Sequence, residues 1–135
     1  MTQTEAFAAF LARSGLPVFA AGDVPEEAAD TAPDGAYITF AAAEGVWGQT
    51  IALTADLWAY GSRRRAGALA REILRRCGRG GCLLPCDGGA LWLLPGSPPL
   101  TALTDGTVTG LCRYRLNFTS KNYTESIGMG CAHPD

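Results

Sequence analysis

The stretch QTIALTADLWAYGSRRRAGALAREILRRCG, residues 49–78, carries two periods in succession. In its first half Ile51, Leu53, Ala55, Leu57 and Ala59 fall on one side, and Thr50, Thr54, Asp56, Trp58 and Tyr60 on the other. A period of two predicts a strand over 49–60 with one face on a core. Gly61 interrupts it. From 62 to 77 the apolar residues are Ala66, Leu69, Ala70, Ile73, Leu74 and Cys77, which form one stripe on a helix. Ser62 suits the N-cap and Gly78 the C′ position. A helix with one apolar stripe and a strand with one apolar face bury those surfaces against each other, so the core is a helix laid across a sheet.

Upstream, residues 4–14 predict a first helix with Thr4 at its start and Phe7, Phe10 and Leu11 on one face. Gly15 and Pro17 stop it. Val18-Phe19-Ala20 is a short edge strand, residues 22–35 an acidic loop, and 36–42 a second strand that forms a hairpin with 49–60. Downstream, glycines at 80, 81, 88 and 89 mark turns. Residues 90–94 read as an apolar strand stopped by Pro95-Gly96, with Trp92 in the core, and 97–99 as an irregular loop. Residues 107–119 read as a last strand, with a bulge near Gly110-Leu111-Cys112. The expectation is α+β: a mostly antiparallel sheet with two helices on one face, in the order α-β-β-β-α-β-β. One domain spans 1–119, and 120–135 is a polar C-terminal tail.

The 135 residues suffice for a single core. With 47% hydrophobic residues and 18% charged, the chain belongs to the globular class. The net charge of −2 gives no bulk attraction to nucleic acid or membrane. No apolar run approaches the ~20 residues of a membrane span. The first residues lack the basic region of a signal peptide, which predicts a cytoplasmic protein with reduced cysteines.

Chemistry-bearing constellations are sparse. Cys77, Cys82, Cys86, Cys112 and Cys131 with His133 are the metal-capable set, but none of the spacings is a zinc knuckle. His133 is the only histidine, which argues against a cysteine–histidine pair or a serine triad. The acidic loop with Asp23, Glu26 and Glu27 lacks the ligand spacing of a calcium loop. The glycine-rich turns lack the lysine of a phosphate loop. The reading is therefore no catalytic residues, no cofactor and no metal.

Two features point instead to contacts. Arg64, Arg71, Arg75 and Arg79 line the helix face opposite its apolar stripe. Such a stripe is either a solvated face, a contact between copies against the acidic loop, or a site for nucleic-acid phosphates. Trp58 and Tyr60 share the outward face of their strand and are either interface anchors or aromatics covered by the second helix or a loop.

Several segments follow a recognisable order: Gly-Leu-Pro-Val-Phe at 15–19, Gly-Asp-Val-Pro at 22–25, Tyr-Ile-Thr-Phe at 37–40, Leu-x-x-x-Leu-Trp at 53–58, Leu-Leu-Pro-Cys-Asp-Gly-Gly-Ala-Leu-Trp at 83–92 and Arg-Tyr-Arg-Leu-Asn-Phe at 113–118. In order and spacing they resemble the small tail terminator or tail completion proteins of long-tailed bacteriophages and prophages. The resemblance implies a non-enzymatic structural protein. It would act as a ring, commonly a hexamer, that caps the tail tube and joins it to the head. The implied partners are other copies of the chain, the tail tube protein and a head-completion protein. The implied places are the bacterial cytoplasm during assembly and the virion tail. The alternative is a small nucleic-acid-binding domain using the arginine stripe.

Overall fold

In the computed structural model, the chain is described over residues 1–22, 35–41, 48–61, 63–103 and 111–124. These residues form helix α1 (Gln3–Ala12), strands β1 (Val18–Ala20), β2 (Ala36–Phe40) and β3 (Thr50–Tyr60), helix α2 (Arg63–Cys77), and strands β4 (Cys82–Cys86), β5 (Gly89–Leu103) and β6 (Leu111–Thr124). The six strands make one sheet in the order β1-β2-β3-β6-β5-β4. Only β1 and β2 run parallel. The other neighbours are antiparallel. The class is α+β, as expected. The order is not: three strands follow α2, giving α-β-β-β-α-β-β-β among the described residues.

The alternation in β3 sets the two sides of the sheet. Leu53, Ala55, Leu57 and Ala59 are buried on one side. Directly paired residues point to the same face, so the register of β3 with β6 adds Tyr114, Leu116 and Phe118 to that side. Leu91 and Leu93 of β5 and Leu84 of β4 complete it. Both helices lie on this face. Phe7 of α1 meets Phe40 and Phe118 edge to face, with ring centroids 6.1 and 5.7 Å apart, and Phe10 meets Phe118 at 5.8 Å. Ala66, Ala70, Ile73 and Cys77 of α2 join the same buried cluster. Each fully buried Phe, Leu or Ile contributes about 1.5–3 kcal/mol through removal of apolar surface from water.

The N-cap of α1 is Thr2, two residues before the expected Thr4. Thr2 accepts from the Glu5 amide at 3.0 Å while Glu5 accepts from the Thr2 amide at 2.7 Å, a reciprocal capping box. The N-terminal ammonium pairs with Asp87 at 2.7 Å. α2 ends as expected: Gly78 takes φ 79°, and its amide donates to the Leu74 carbonyl. The expected N-cap Ser62 lies outside the described residues.

Four further corrections concern the C-terminal half. Cys82–Cys86, given no element between two glycine turns, is an edge strand. Pro85 is tolerated there because an edge has one side without hydrogen-bond demand. Pro95-Gly96 does not stop β5. The strand runs on to Leu103 through a register shift between Pro95 and Leu100, which accommodates Pro98 and Pro99. Trp92 is half-buried and not in the core, because the pleat gives the core face to its neighbours Leu91 and Leu93. β6 continues past residue 119 to Thr124. Its register against β3 is unbroken from Leu111 to Lys121. Ser120 and Asn122 are fully buried: Ser120 donates to Asn122 Oδ1 at 2.9 Å, and Asn122 Nδ2 donates to Gln3 Oε1 at 3.1 Å. This chain of satisfied polar groups ties the end of β6 to α1.

Gly81 links α2 to β4 with φ 83°, and a Cβ built there would lie 2.5 Å from the Leu93 carbonyl oxygen. Gly81→Ala is therefore expected to cost about 2 kcal/mol or more, from strain at positive φ and displacement of the β5 backbone. A urea midpoint equal to that of the unmodified protein would contradict it.

Candidate functional site

The face of the sheet opposite the two described helices carries a row of side chains that cross-strand register places side by side. Tyr37 of β2 opposes Trp58 of β3, Trp58 opposes Arg113 of β6, and Arg113 opposes Leu103 of β5. The Tyr37 and Trp58 rings stack, 6.1 Å apart and 7° from parallel. The Arg113 guanidinium carbon sits 4.6 Å from the Trp58 ring centroid, in cation–π range. Phe19 extends the row on β1, 6.2 Å from Tyr37. The indole N–H of Trp58 donates to Thr39 Oγ1 at 2.9 Å, which fixes the ring while the side chain stays partly exposed.

The next row is Thr39, Asp56, Arg115 and Thr101. Asp56 is 9% exposed, and its carboxylate accepts from both arginines. Arg113 Nη2 donates at 2.6 Å and Arg115 Nε at 2.9 Å. The bond to Asp56 raises the Arg115 pKa above its ordinary value. One carboxylate thus holds two guanidinium groups against the sheet, above a recess of about 200 Å³ bordered by Ala21, Thr39 and Thr54. Neither Asp56, Arg113, Arg115 nor Tyr37 was singled out by the sequence. The Arg-x-Arg alternation on β6 was visible, but its partner on β3 lies 57 and 59 residues away.

Trp58 and Tyr60 do share this outward face; Trp58 is half-buried and Tyr60 is 38% exposed. The arginine stripe is on the opposite, helical side. Arg64, Arg71, Arg75 and Arg79 are all exposed. Arg75 pairs with Glu72 at 2.6 Å. Among the described residues, Arg64, Arg71 and Arg79 have no acidic partner. Asp23, Glu26 and Glu27 lie outside the described residues. So do Cys131 and His133 of the metal-capable set.

Cys77 and Cys82 are neighbours, but among the described residues no group of three His, Cys, Asp or Glu side chains is placed to hold a metal. Cys77 is 2% exposed and donates to the Leu93 carbonyl at 3.3 Å. Burial pushes its thiol up to about 12 from the ordinary 9.0. Two results are expected. A thiol reagent at pH 8 leaves Cys77 unmodified until the protein unfolds. Stability also falls as pH rises from about 9 to about 12, because there the unfolded thiol ionises while the folded one stays protonated. Rapid native-state labelling of Cys77 would contradict the first.

Among the described residues, no helix is long and apolar enough to cross a membrane. No protein-family model matches the chain, and no curated protein matches it in sequence.

Proposed function

We propose that this chain is a non-enzymatic structural protein that closes into a ring, with the ring completing the tail tube of a long-tailed phage or prophage and joining it to the head. One observation carries the assembly part. The two layers of the subunit present unlike surfaces on opposite sides: an aromatic and arginine face on the sheet, and on α2 an arginine stripe in which, among the described residues, only Arg75 has an acidic partner. A ring built head to tail needs two different patches on every subunit, not one self-complementary patch. Stacked aromatics held rigid by hydrogen bonds and an arginine are the side-chain types that dominate interface energies. The tail assignment rests on the ordered motifs from Gly15 to Phe118 and their resemblance to tail terminators. The partners follow from it: the tail tube protein on one side of the ring and a head-completion protein on the other.

The test is assembly. Tyr37→Ala with Trp58→Ala removes half-exposed side chains, so the subunit is expected to remain folded by circular dichroism. The same change should weaken self-association by about thirtyfold, the effect of losing roughly 2 kcal/mol at an interface anchor. Unchanged mass across concentration would exclude this face from the contact.

A second reading is favoured by the exposed Arg64, Arg71 and Arg79: a nucleic-acid-binding module. It predicts duplex binding whose affinity falls steeply with salt, with a slope set by the phosphates contacted. Binding that is absent at low salt removes it.

A further inference from the structure

The end of α2 and the start of β4 bring two thiols together. Cys77 closes α2 and Cys82 opens β4, with Gly78 and Gly81 turning the chain between them at φ 79° and 83°. Along β4 the residues of one face are Cys82, Leu84 and Cys86. Leu84 is 2% exposed in the core, and Cys82 on the same face packs against that core, to which Cys77 belongs. Leu93 of β5 anchors both cysteines: it is the cross-strand partner of Cys82, and its carbonyl accepts from the Cys77 thiol at 3.3 Å. The two thiols are in hydrogen-bond contact, and the Cys82 amide also meets the Cys77 sulfur. The third cysteine of this face is out of reach. Cys86 stands about 13 Å from Cys82 along the strand, at ~3.3 Å per residue, whereas a disulfide spans about 7 Å between Cα atoms at most.

We infer that Cys77 and Cys82 are a redox-active pair, which a small disulfide compound such as oxidised glutathione converts to a protein disulfide that clamps α2 to β4. Access sets the order of events. Cys82 is half-buried, and Cys77 is closed to outside reagents. The Cys82 thiolate attacks one sulfur of oxidised glutathione, forms a mixed disulfide and releases one glutathione thiolate. The Cys77 thiolate then attacks the Cys82 sulfur of that mixed disulfide; the Cys77–Cys82 bond forms, and the second glutathione leaves as a thiolate. The two protein thiols lose two electrons and two protons, and the glutathione disulfide takes them up to become two thiols. Cys77 is thus reached only through its neighbour. The bridge closes a short loop and fastens β4, the edge strand that pairs with β5, to the end of α2.

The test is treatment with oxidised glutathione at pH 8, of the folded protein and of protein in urea, followed by acid quenching and a non-reducing tryptic map. Trypsin cuts after Arg76 and Arg79, so a Cys77–Cys82 bond joins the 77–79 fragment to the one that holds Cys82, and fragmentation identifies the second sulfur. The folded protein is expected to give Cys77–Cys82 as its main internal disulfide, about tenfold or more over Cys82–Cys86, which the strand keeps apart. In urea that preference should vanish, because Cys82–Cys86 is the shorter loop. The bridged protein should have a urea midpoint about 1 M above that of the reduced one. Two variants check the order. Cys82→Ser changes a half-buried side chain and should leave Cys77 reduced. Cys77→Ala should leave Cys82 holding one glutathione. A folded protein in which Cys82 stops at the mixed disulfide, or bonds first to Cys86, overturns the inference. So does a Cys77–Cys82 bond that forms only in urea, glutathione on Cys77 in the folded Cys82→Ser protein, or a midpoint that falls when the bridge forms.

Discussion

Replacing Phe118 by alanine is expected to lower folding stability by about 3–5 kcal/mol, the range for removing a buried Phe from a close-packed core. Phe118 is 1% exposed and sits on β6 beneath α1. Its ring meets both Phe7 and Phe10 edge to face. The substitution therefore removes buried apolar area and two aromatic contacts, and it opens a cavity between α1 and the sheet that backbone motion cannot close, because β6 is held between β3 and β5. Domains have a total stability of about 5–15 kcal/mol, so the loss leaves a marginal fold. With a urea slope of roughly 2 kcal/mol/M for a domain of this size, the midpoint should fall by about 2 M. A shift under ~0.5 M at unchanged slope would mean that α1 is not packed as described.

The second large effect is on the bare face. Asp56→Ala strips the carboxylate from between Arg113 and Arg115, leaving two guanidinium groups together on one face of the sheet. Breaking a fully buried pair costs about 3–5 kcal/mol. The Arg113 and Arg115 side chains keep 25% and 39% exposure, so water screens part of the repulsion. The expected loss is about 2 kcal/mol, between the buried and exposed limits. It should shrink when Arg113→Leu is introduced with it, because one of the two orphaned charges, and their mutual repulsion, is then gone; a double-mutant cycle measures that coupling. Fully additive changes would show that Asp56 and Arg113 act independently. The pair also positions Arg113 over Trp58, so Asp56→Ala should loosen the aromatic row and reduce assembly beyond its effect on stability.

Much of this architecture was legible in the residues. The shift from period two to period 3.6 at Gly61 gave β3 and α2 almost to the residue, since both bury one face against the same core. The strand order could not be read, because β3 pairs with a segment more than fifty residues away and local patterns do not record that partner. β4 was hidden by Pro85 and flanking glycines, which mark a turn unless the strand is known to be an edge. The end of β6 was hidden by its polarity: Ser120 and Asn122 look solvent-facing until Gln3 is found above them. The Thr2-x-x-Glu5 capping box is in plain view in the sequence, and a helix start at Thr4 passes over it. The outward placement of Trp58, Tyr60 and the arginine stripe was legible because the face a residue takes follows from period alone. Asp56, Arg113 and Arg115 were not, since their role exists only across strands.

The most direct measurement is the mass of the unmodified protein in solution by light scattering, over a range of concentration and salt, with electron microscopy of the largest species. The account predicts a closed ring whose population grows with concentration and falls with salt, and whose assembly is lost on Tyr37→Ala with Trp58→Ala. A monomer at every concentration, or a two-fold dimer that buries one self-complementary patch, would contradict it.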